Sequence, residues 1–224
     1  VYTLFSTCTN METWDWLAIA GIIGDMTFPS HKTFVEQFAN KYGMRFYDEA
    51  YDMDIAALVK QIGYGSAYGS DTADEIIFSA LDTAKDYKEA VAHMHEFDAV
   101  KEEQETLLKN FATERETHGS VHFYELHTKY HLASAVSSIL SRKQIAPDQI
   151  LITFHDKADN RTSASARRQD CQLHMGDMMR ACIENFKDSN GGGHIPAAGA
   201  KFPSKYKEQF KKNILSWVQK HTSE

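Results

Sequence analysis

Apolar residues recur at helical spacing through the first half of the chain. The densest run, from Thr13 to Gly24, predicts a buried helix that has Thr13 as its N-cap and ends at the Gly24-Asp25 pair. Glycine-rich turns are predicted at residues 63–65 and 68–71, and Ser70 or Asp71 can cap the helix after the second turn. The other predicted helices cover residues 31–42, 52–62, 71–90 and 97–116, the last being a long charged connector.

The period changes after residue 120, where apolar and polar residues begin to alternate. Strands alternating with helices predict an α/β fold with a mixed sheet, preceded by a helical N-terminal segment, and the boundary is expected near Gly119. The predicted strands cover residues 121–126, 149–154, 161–167 and 194–202, and the predicted helices cover 131–140, 173–186 and 204–221.

The composition, with 42% hydrophobic and 25% charged residues in a chain of 224, is typical of a soluble globular protein. The longest apolar run, residues 16–23, is shorter than the ~20 residues of a membrane helix, so no membrane partner is expected. Cys8, Cys171 and Cys182 form no CxxC motif, which favours a reducing, cytoplasmic setting. The first residue is Val1 rather than Met, as in a piece of a longer protein.

Charge is distributed unevenly along the chain. Residues 1–120 hold 21 acidic and 9 basic side chains, whereas residues 121–224 hold 10 acidic and 15 basic ones. A basic C-terminal part is expected of a phosphate-binding surface. A single basic helix facing solvent would produce the same asymmetry, so both interpretations stay open.

Two motifs in the basic part carry candidate chemistry. Gly191, Gly192 and Gly193 are followed at once by His194, so backbone N–H groups and an imidazole can converge on an anion. The motif predicts either a structured ligand loop or a plain tight turn. In the predicted strand 161–167, one face carries Arg161, Ser163, Ser165 and Arg167, a set of donors suited to phosphate oxygens, although a solvent-exposed edge strand is the alternative.

The region from Val121 to the end, and above all the sequence GGGHIPAAG at residues 191–199, resembles the DHH-associated domain of DHH-family phosphoesterases. The segment 16–26 resembles the family's fourth metal motif, an apolar helix that ends at a metal-binding aspartate, here Asp25. Together the segments look most like the C-terminal portion of a RecJ-like single-strand exonuclease of the archaeal branch.

The resemblance implies a role for individual residues. Asp25 would bind Mn²⁺ or Mg²⁺ in the intact protein, Ser165 and Arg167 would hold a substrate phosphate, and the terminal nucleotide would lie against Gly191, Gly192, Gly193 and His194. It also implies a domain layout: residues 1–97 as the end of the catalytic domain, 98–118 as a connector helix and 119–224 as the DHH-associated, substrate-binding domain.

The family's paired aspartates and its Asp-His-His triplet are absent from the 224 residues. A two-metal centre needs several ligands, so this chain alone is expected to be inactive and to bind no metal tightly. The leading hypothesis is a nucleic-acid-binding part of a RecJ-like exonuclease, with single-stranded DNA or RNA as partner. The alternatives are a phosphoesterase for short oligonucleotides, phospho-adenosine or cyclic dinucleotides, and an inactive scaffold for replication or repair proteins.

Overall fold

The computed structural model describes residues 12–222, which divide into two compact units at Lys101 and Glu102. Cys8 lies outside the described residues. The first unit is helical over residues 12–101, and no helix in the described part of the chain is long and apolar enough to span a membrane. Its helices are α1 (Asp15–Gly24), α2 (Phe28–Lys41), α3 (Ala56–Tyr68), α4 (Asp71–Thr83) and α5 (Tyr87–His93).

The helix ends in the first unit follow local chemistry only in part. Ser70 caps α4 as predicted, because its Oγ accepts a hydrogen bond from the backbone N–H of Ala73 at 3.2 Å. At the start of α1 the N-cap is Trp14, not the predicted Thr13, and it makes no side-chain cap hydrogen bond. Side-chain capping is therefore observed at α4 and not at α1.

The turn predicted at residues 63–65 is wrong, since these residues lie inside α3. The reason for glycine there is packing. A Cβ on Gly65 would lie 2.6 Å from Cε2 of Phe97 and 2.7 Å from Cδ1 of Ile77. Gly65 thus allows a close approach between α3 and its neighbours, while Gly63 is exposed with no heavy atom within 4 Å of the position of a Cβ.

The second unit is an α/β fold built on a six-stranded mixed sheet, as predicted. The strand order is β1-β2-β3-β4-β6-β5, and β2 and β3 are parallel while the other neighbours are antiparallel. The strands are β1 (Glu116–His118), β2 (Val121–Glu125), β3 (Ile150–Asp156), β4 (Arg161–Arg167), β5 (Asn190–Gly193) and β6 (Ala197–Pro203). The helices are α6 (Asp98–Glu114), which begins before Glu102, α7 (Ala133–Lys143), α8 (Met175–Ile183) and α9 (Lys207–Thr222).

The core of the second unit lies between one face of the sheet and the helices α8 and α9. Strand β4 alternates between half-buried and buried positions along its whole length, which confirms the period-2 prediction for residues 161–167. Strand β3 instead has a run of five buried residues, as expected of a central strand covered on both faces. The core side chains include Phe123, Ile152, Phe154, Ala164, Ala166, Met178, Met179, Phe202, Phe210 and Ile214.

The glycine motif has a different structure from the predicted loop or turn. Gly191, Gly192 and Gly193 belong to the edge strand β5, which pairs with β6. The tight turn comes one residue later, where the backbone N–H of His194 donates to the carbonyl of Ala197 at 2.9 Å. The predicted strand 194–202 therefore starts only at Ala197.

Candidate functional site

The sheet face opposite the core is only partly covered by a helix. Helix α7 packs on β3 and β4, and the Oγ of Ser137 donates to the Oγ of Ser165 at 3.5 Å on that side. In antiparallel pairs, directly opposed residues point to the same face, so the register extends this face from β4 across β6 to β5. On β6 and β5 it carries the exposed residues Gly199, Lys201 and Asn190 and the half-buried Ala197 and Gly192.

Arg167 lies at the edge of α7, half-buried, at the end of β4. Its Nη1 donates to the Oγ of Ser165 at 3.2 Å and to the carbonyl of Ala166 at 3.0 Å, and its Nη2 donates to the Oγ of Ser134 at 3.4 Å. Burial lowers the pKa of the Arg167 guanidinium, and the nearby charge of Arg142 lowers it further. No carboxylate within residues 12–222 lies at ion-pair distance from this guanidinium.

The next residue, Arg168, shows the contrasting case. Its Nε and Nη2 donate to the two carboxylate oxygens of Asp170 at 2.6 and 2.7 Å, a bidentate pair that raises the pKa of Arg168 and lowers that of Asp170. Arg167, the last residue of β4, and Arg168, the residue after it, thus have different partners. Arg168 is neutralised within the fold, while Arg167 keeps a positive charge that an anionic ligand can neutralise.

The three glycines of β5 serve three different purposes. A Cβ on Gly191 would point to the core face and lie 2.8 Å from Cδ1 of Ile183. Gly193 has a φ of +148°, and a Cβ there would lie 2.6 Å from the carbonyl oxygen of Ala197. Gly192 faces the open side, directly opposite Gly199 on β6.

The cross-strand register brings three of the six predicted substrate-binding residues, Ser165, Arg167 and Gly192, to this face. Ser165, Gly199 and Gly192 form one row across β4, β6 and β5. Arg167 pairs with Ala197, whose carbonyl accepts the N–H of His194. Gly191 and Gly193 pair with the core residues Ala200 and Ala198, so their side-chain positions face the core. The backbone of Gly191 still lines the groove described next.

An open groove of about 400 Å³ lies on this face beside the glycine row, a size within the range of small-molecule sites. Its polar side chains are Ser163, Asn190 and Lys201, and its floor is the backbone of Gly192 and Gly199. Asn190 and Lys201 were not predicted as site residues, although alternation along residues 197–203 does place Lys201 on the face of Gly199.

Arg180 is a further residue that the sequence argument missed. This exposed side chain of α8 reaches round the edge strand, so that its Nη1 would lie 3.2 Å from a Cβ on Gly192. Its guanidinium forms an ion pair with Asp177 one helical turn earlier. No sequence signal identifies this contact, because it depends on how α8 is placed against β5.

Asp25 lies in the first unit, where it is exposed and follows the last residue of α1. No group of three or more His, Cys, Asp or Glu side chains able to hold a metal ion occurs in the described part of the chain. A divalent ion shared between a carboxylate and several further ligands therefore does not fit the residues around Asp25.

Comparison with known proteins finds a family match within the second unit. Residues 119–220 match the family model of the DHHA1 domain, whereas no curated protein matches the chain. A DHH domain from a member of the s1p family of ribosomal proteins is similar over 93% of this chain and 50% of that one, with 18% identity and a TM-score of 0.67. Exonuclease RecJ bound to manganese is similar over 92% of this chain and 55% of that one, with 17% identity and a TM-score of 0.62.

A more distant match is a pGpG-specific phosphodiesterase from Vibrio cholerae, which is similar over 74% of this chain and 57% of that one, with 13% identity and a TM-score of 0.50. At such identities the likeness concerns the fold. The chain spans between 50% and 57% of the length of these three proteins.

Proposed function

We propose, from the premise that residues 119–220 form a DHHA1 domain, that this chain is the substrate-binding C-terminal part of a metal-dependent phosphodiesterase. Its substrate is single-stranded nucleic acid, as in a RecJ-like exonuclease. The membership of an archaeal RecJ-like branch stays a prediction. The fold match to exonuclease RecJ supports the proposal, and the chemistry of the open sheet face gives it residues.

The observation that carries the proposal is the uncompensated charge of Arg167. A half-buried guanidinium loses part of its hydration, and a carboxylate normally compensates this loss, as Asp170 does for Arg168. Arg167 has only two hydroxyls and one carbonyl oxygen as acceptors. A phosphate oxygen arriving beside Ser134 and Ser165 would complete the charge pairing and would receive hydroxyl hydrogen bonds as well.

The role of these residues is to bind and orient. Phosphoryl transfer depends mainly on positioning and charge stabilisation, so fixing one phosphate limits the places that a neighbouring phosphodiester can occupy. Among the residues that the structure describes, the surroundings of Asp25 do not form a metal site, so Asp25 would be one ligand of Mn²⁺ or Mg²⁺ among several supplied from elsewhere. We therefore assign substrate binding, and not bond cleavage, to the second unit.

The test is an equilibrium titration of a single-stranded oligonucleotide, labelled at the end that carries no phosphate, at several salt concentrations. Arg167→Gln should weaken binding about ten-fold and should reduce the slope of log K against log salt by about 0.7, the contribution of one phosphate contact on a single strand. Lys212→Gln is the matched control, because Lys212 is exposed on α9, which packs on the other face of the sheet. Equal affinities for wild type and Arg167→Gln would refute the proposal.

A second candidate is a phosphodiesterase for short substrates, including dinucleotides. The short extent of the groove, about 400 Å³ across three strands, favours it, as does the fold match to a pGpG-specific phosphodiesterase. A series of oligonucleotides of increasing length separates the two. Affinity that stops rising after two or three nucleotides supports the short-substrate enzyme, whereas a continued rise supports the exonuclease.

A further inference from the structure

We propose that Lys201 and Asn190 form a second phosphate-contact point, which binds an internal phosphate of a strand whose terminal phosphate lies at Arg167. This inference rests on the proposed function. It adds a residue that increases the affinity for ligands with several phosphates over ligands with one. A ligand with a single phosphate would use only the Arg167 point. A ligand with further phosphates would use both.

The strand register sets the distance between the two points. Arg167 pairs with Ala197 and Ser163 pairs with Lys201, so the points lie four residues apart along β6. At about 3.3 Å per residue this separation is roughly 13 Å. The two cationic residues therefore lie at opposite ends of one continuous stretch of sheet.

The stretch of sheet between the two points has room for a sugar and a base. Gly192 and Gly199 oppose each other there and leave the backbone bare, so a ligand can approach the sheet directly. Ser163 and Ser165 provide hydroxyl groups along the β4 side. The groove lies at this place and reaches Lys201, but Arg167 is not among its lining residues.

The charge at the Lys201 end is also uncompensated. Lys201 is exposed, and within the described residues no carboxylate lies at ion-pair distance from its Nζ. The guanidinium of Arg161, on the neighbouring row, donates to the backbone carbonyl of Asp188 at 2.8 Å and adds positive charge. Lys207 at the start of α9 differs, since it pairs with both Glu125 and Asp156.

The experiment compares two ligands that differ in the number of phosphates, thymidine 5′-monophosphate and the 5′-phosphorylated trinucleotide pTpTpT. Binding of each is measured by calorimetry or NMR titration to wild type, Lys201→Gln, Arg167→Gln and the control Lys212→Gln. We expect Lys201→Gln to weaken trinucleotide binding about ten-fold and to leave monophosphate binding unchanged, as loss of one charge-assisted contact requires. Arg167→Gln should weaken the binding of both ligands.

A trinucleotide with one neutral methylphosphonate linkage then locates the contacted phosphate. The effect of Lys201→Gln should disappear when the linkage that Lys201 contacts is the neutral one. The inference alone is overturned if Lys201→Gln changes the affinity for neither ligand, or for both equally, while Arg167→Gln weakens both. If Arg167→Gln also leaves both affinities unchanged, or wild type binds neither ligand, the proposed function is overturned with it.

Discussion

Replacing Arg167 with methionine should leave the ligand-free protein at least as stable as wild type, whereas the same change at Arg168 should destabilise it. The two residues are both arginines and are adjacent at the end of β4, so they form a matched pair. They differ in one respect that matters here. Arg168 has a bidentate carboxylate partner in Asp170, and Arg167 has only neutral acceptors.

The magnitudes follow from these partners. Hydrogen bonds that involve a charged group contribute about 1.5–3 kcal/mol each when their geometry is good, but two of the three from Arg167 are long, at 3.2 and 3.4 Å. The cost of partly removing the charge from water is several kcal/mol, so the two contributions are of similar size. The free energy of unfolding of Arg167→Met should therefore lie within about 1 kcal/mol of wild type or above it. Arg168→Met should lose about 2–3 kcal/mol, below the full cost of a buried pair because the side chain of Asp170 is 21% exposed and keeps a hydrogen bond from the N–H of Gln172.

A local measurement is needed, because the chain divides into two units that need not unfold together. Hydrogen exchange of amides in β3, β4 and β6 under native conditions, at increasing denaturant, gives the free energy of opening for the sheet itself. Binding of a single-stranded oligonucleotide is measured on the same samples. The reasoning is refuted if Arg167→Met loses as much stability as Arg168→Met, since Arg167 would then be a structural residue.

Two further predictions concern packing and acid stability. Gly63→Ala should raise the free energy of unfolding of the first unit by about 0.5–1 kcal/mol through helix propensity. Gly65→Ala should lower it by about 1–3 kcal/mol through overpacking against Phe97. Denaturant unfolding measures both free energies, and equal effects would contradict the packing argument. The hydrogen bond from Arg168 holds the pKa of Asp170 below its usual range, so its stabilising contribution is present above about pH 4 and is lost as the pH falls through the lowered pKa. Asp170→Asn should therefore be less stable than wild type at pH 7, and the difference should shrink at pH 3; a constant difference would contradict this cause.

Prediction of the elements from the sequence succeeded where one local rule decides the structure. The exact alternation of Arg161–Arg167 identified β4 and assigned each side chain to a face, because one side of that strand is buried along its whole length. It failed at Gly65, where glycine usually marks a turn. Residue 65 lies inside a helix instead. It is glycine because a Cβ there would collide with Phe97, which is distant in sequence.

The glycine motif shows the same limit at the candidate site. Three consecutive glycines predict a loop or turn when only local preference is considered. In the structure they form an edge strand, because antiparallel pairing with β6 satisfies their backbone and because the core face of Gly191 is filled by Ile183. The motif lies beside the candidate groove, but its local geometry depends on a partner strand that the sequence does not reveal.

The difference between Arg167 and Arg168 could not have been obtained from the sequence at all. Alternation predicts that the two side chains point in opposite directions, but it does not predict which of them meets a carboxylate. Asp170 follows Arg168 by two residues, and the chain turns so that its carboxylate reaches Arg168 and not Arg167. An arginine that the fold leaves without a counter-charge is a better indication of an anion site than an arginine in a basic sequence, because only the structure reveals which charges are already neutralised. The absence of a counter-charge also distinguishes Lys201 from Lys207, which pairs with Glu125 and Asp156. We therefore expect the phosphates of a nucleic-acid strand to bind on the open face of β4, β6 and β5.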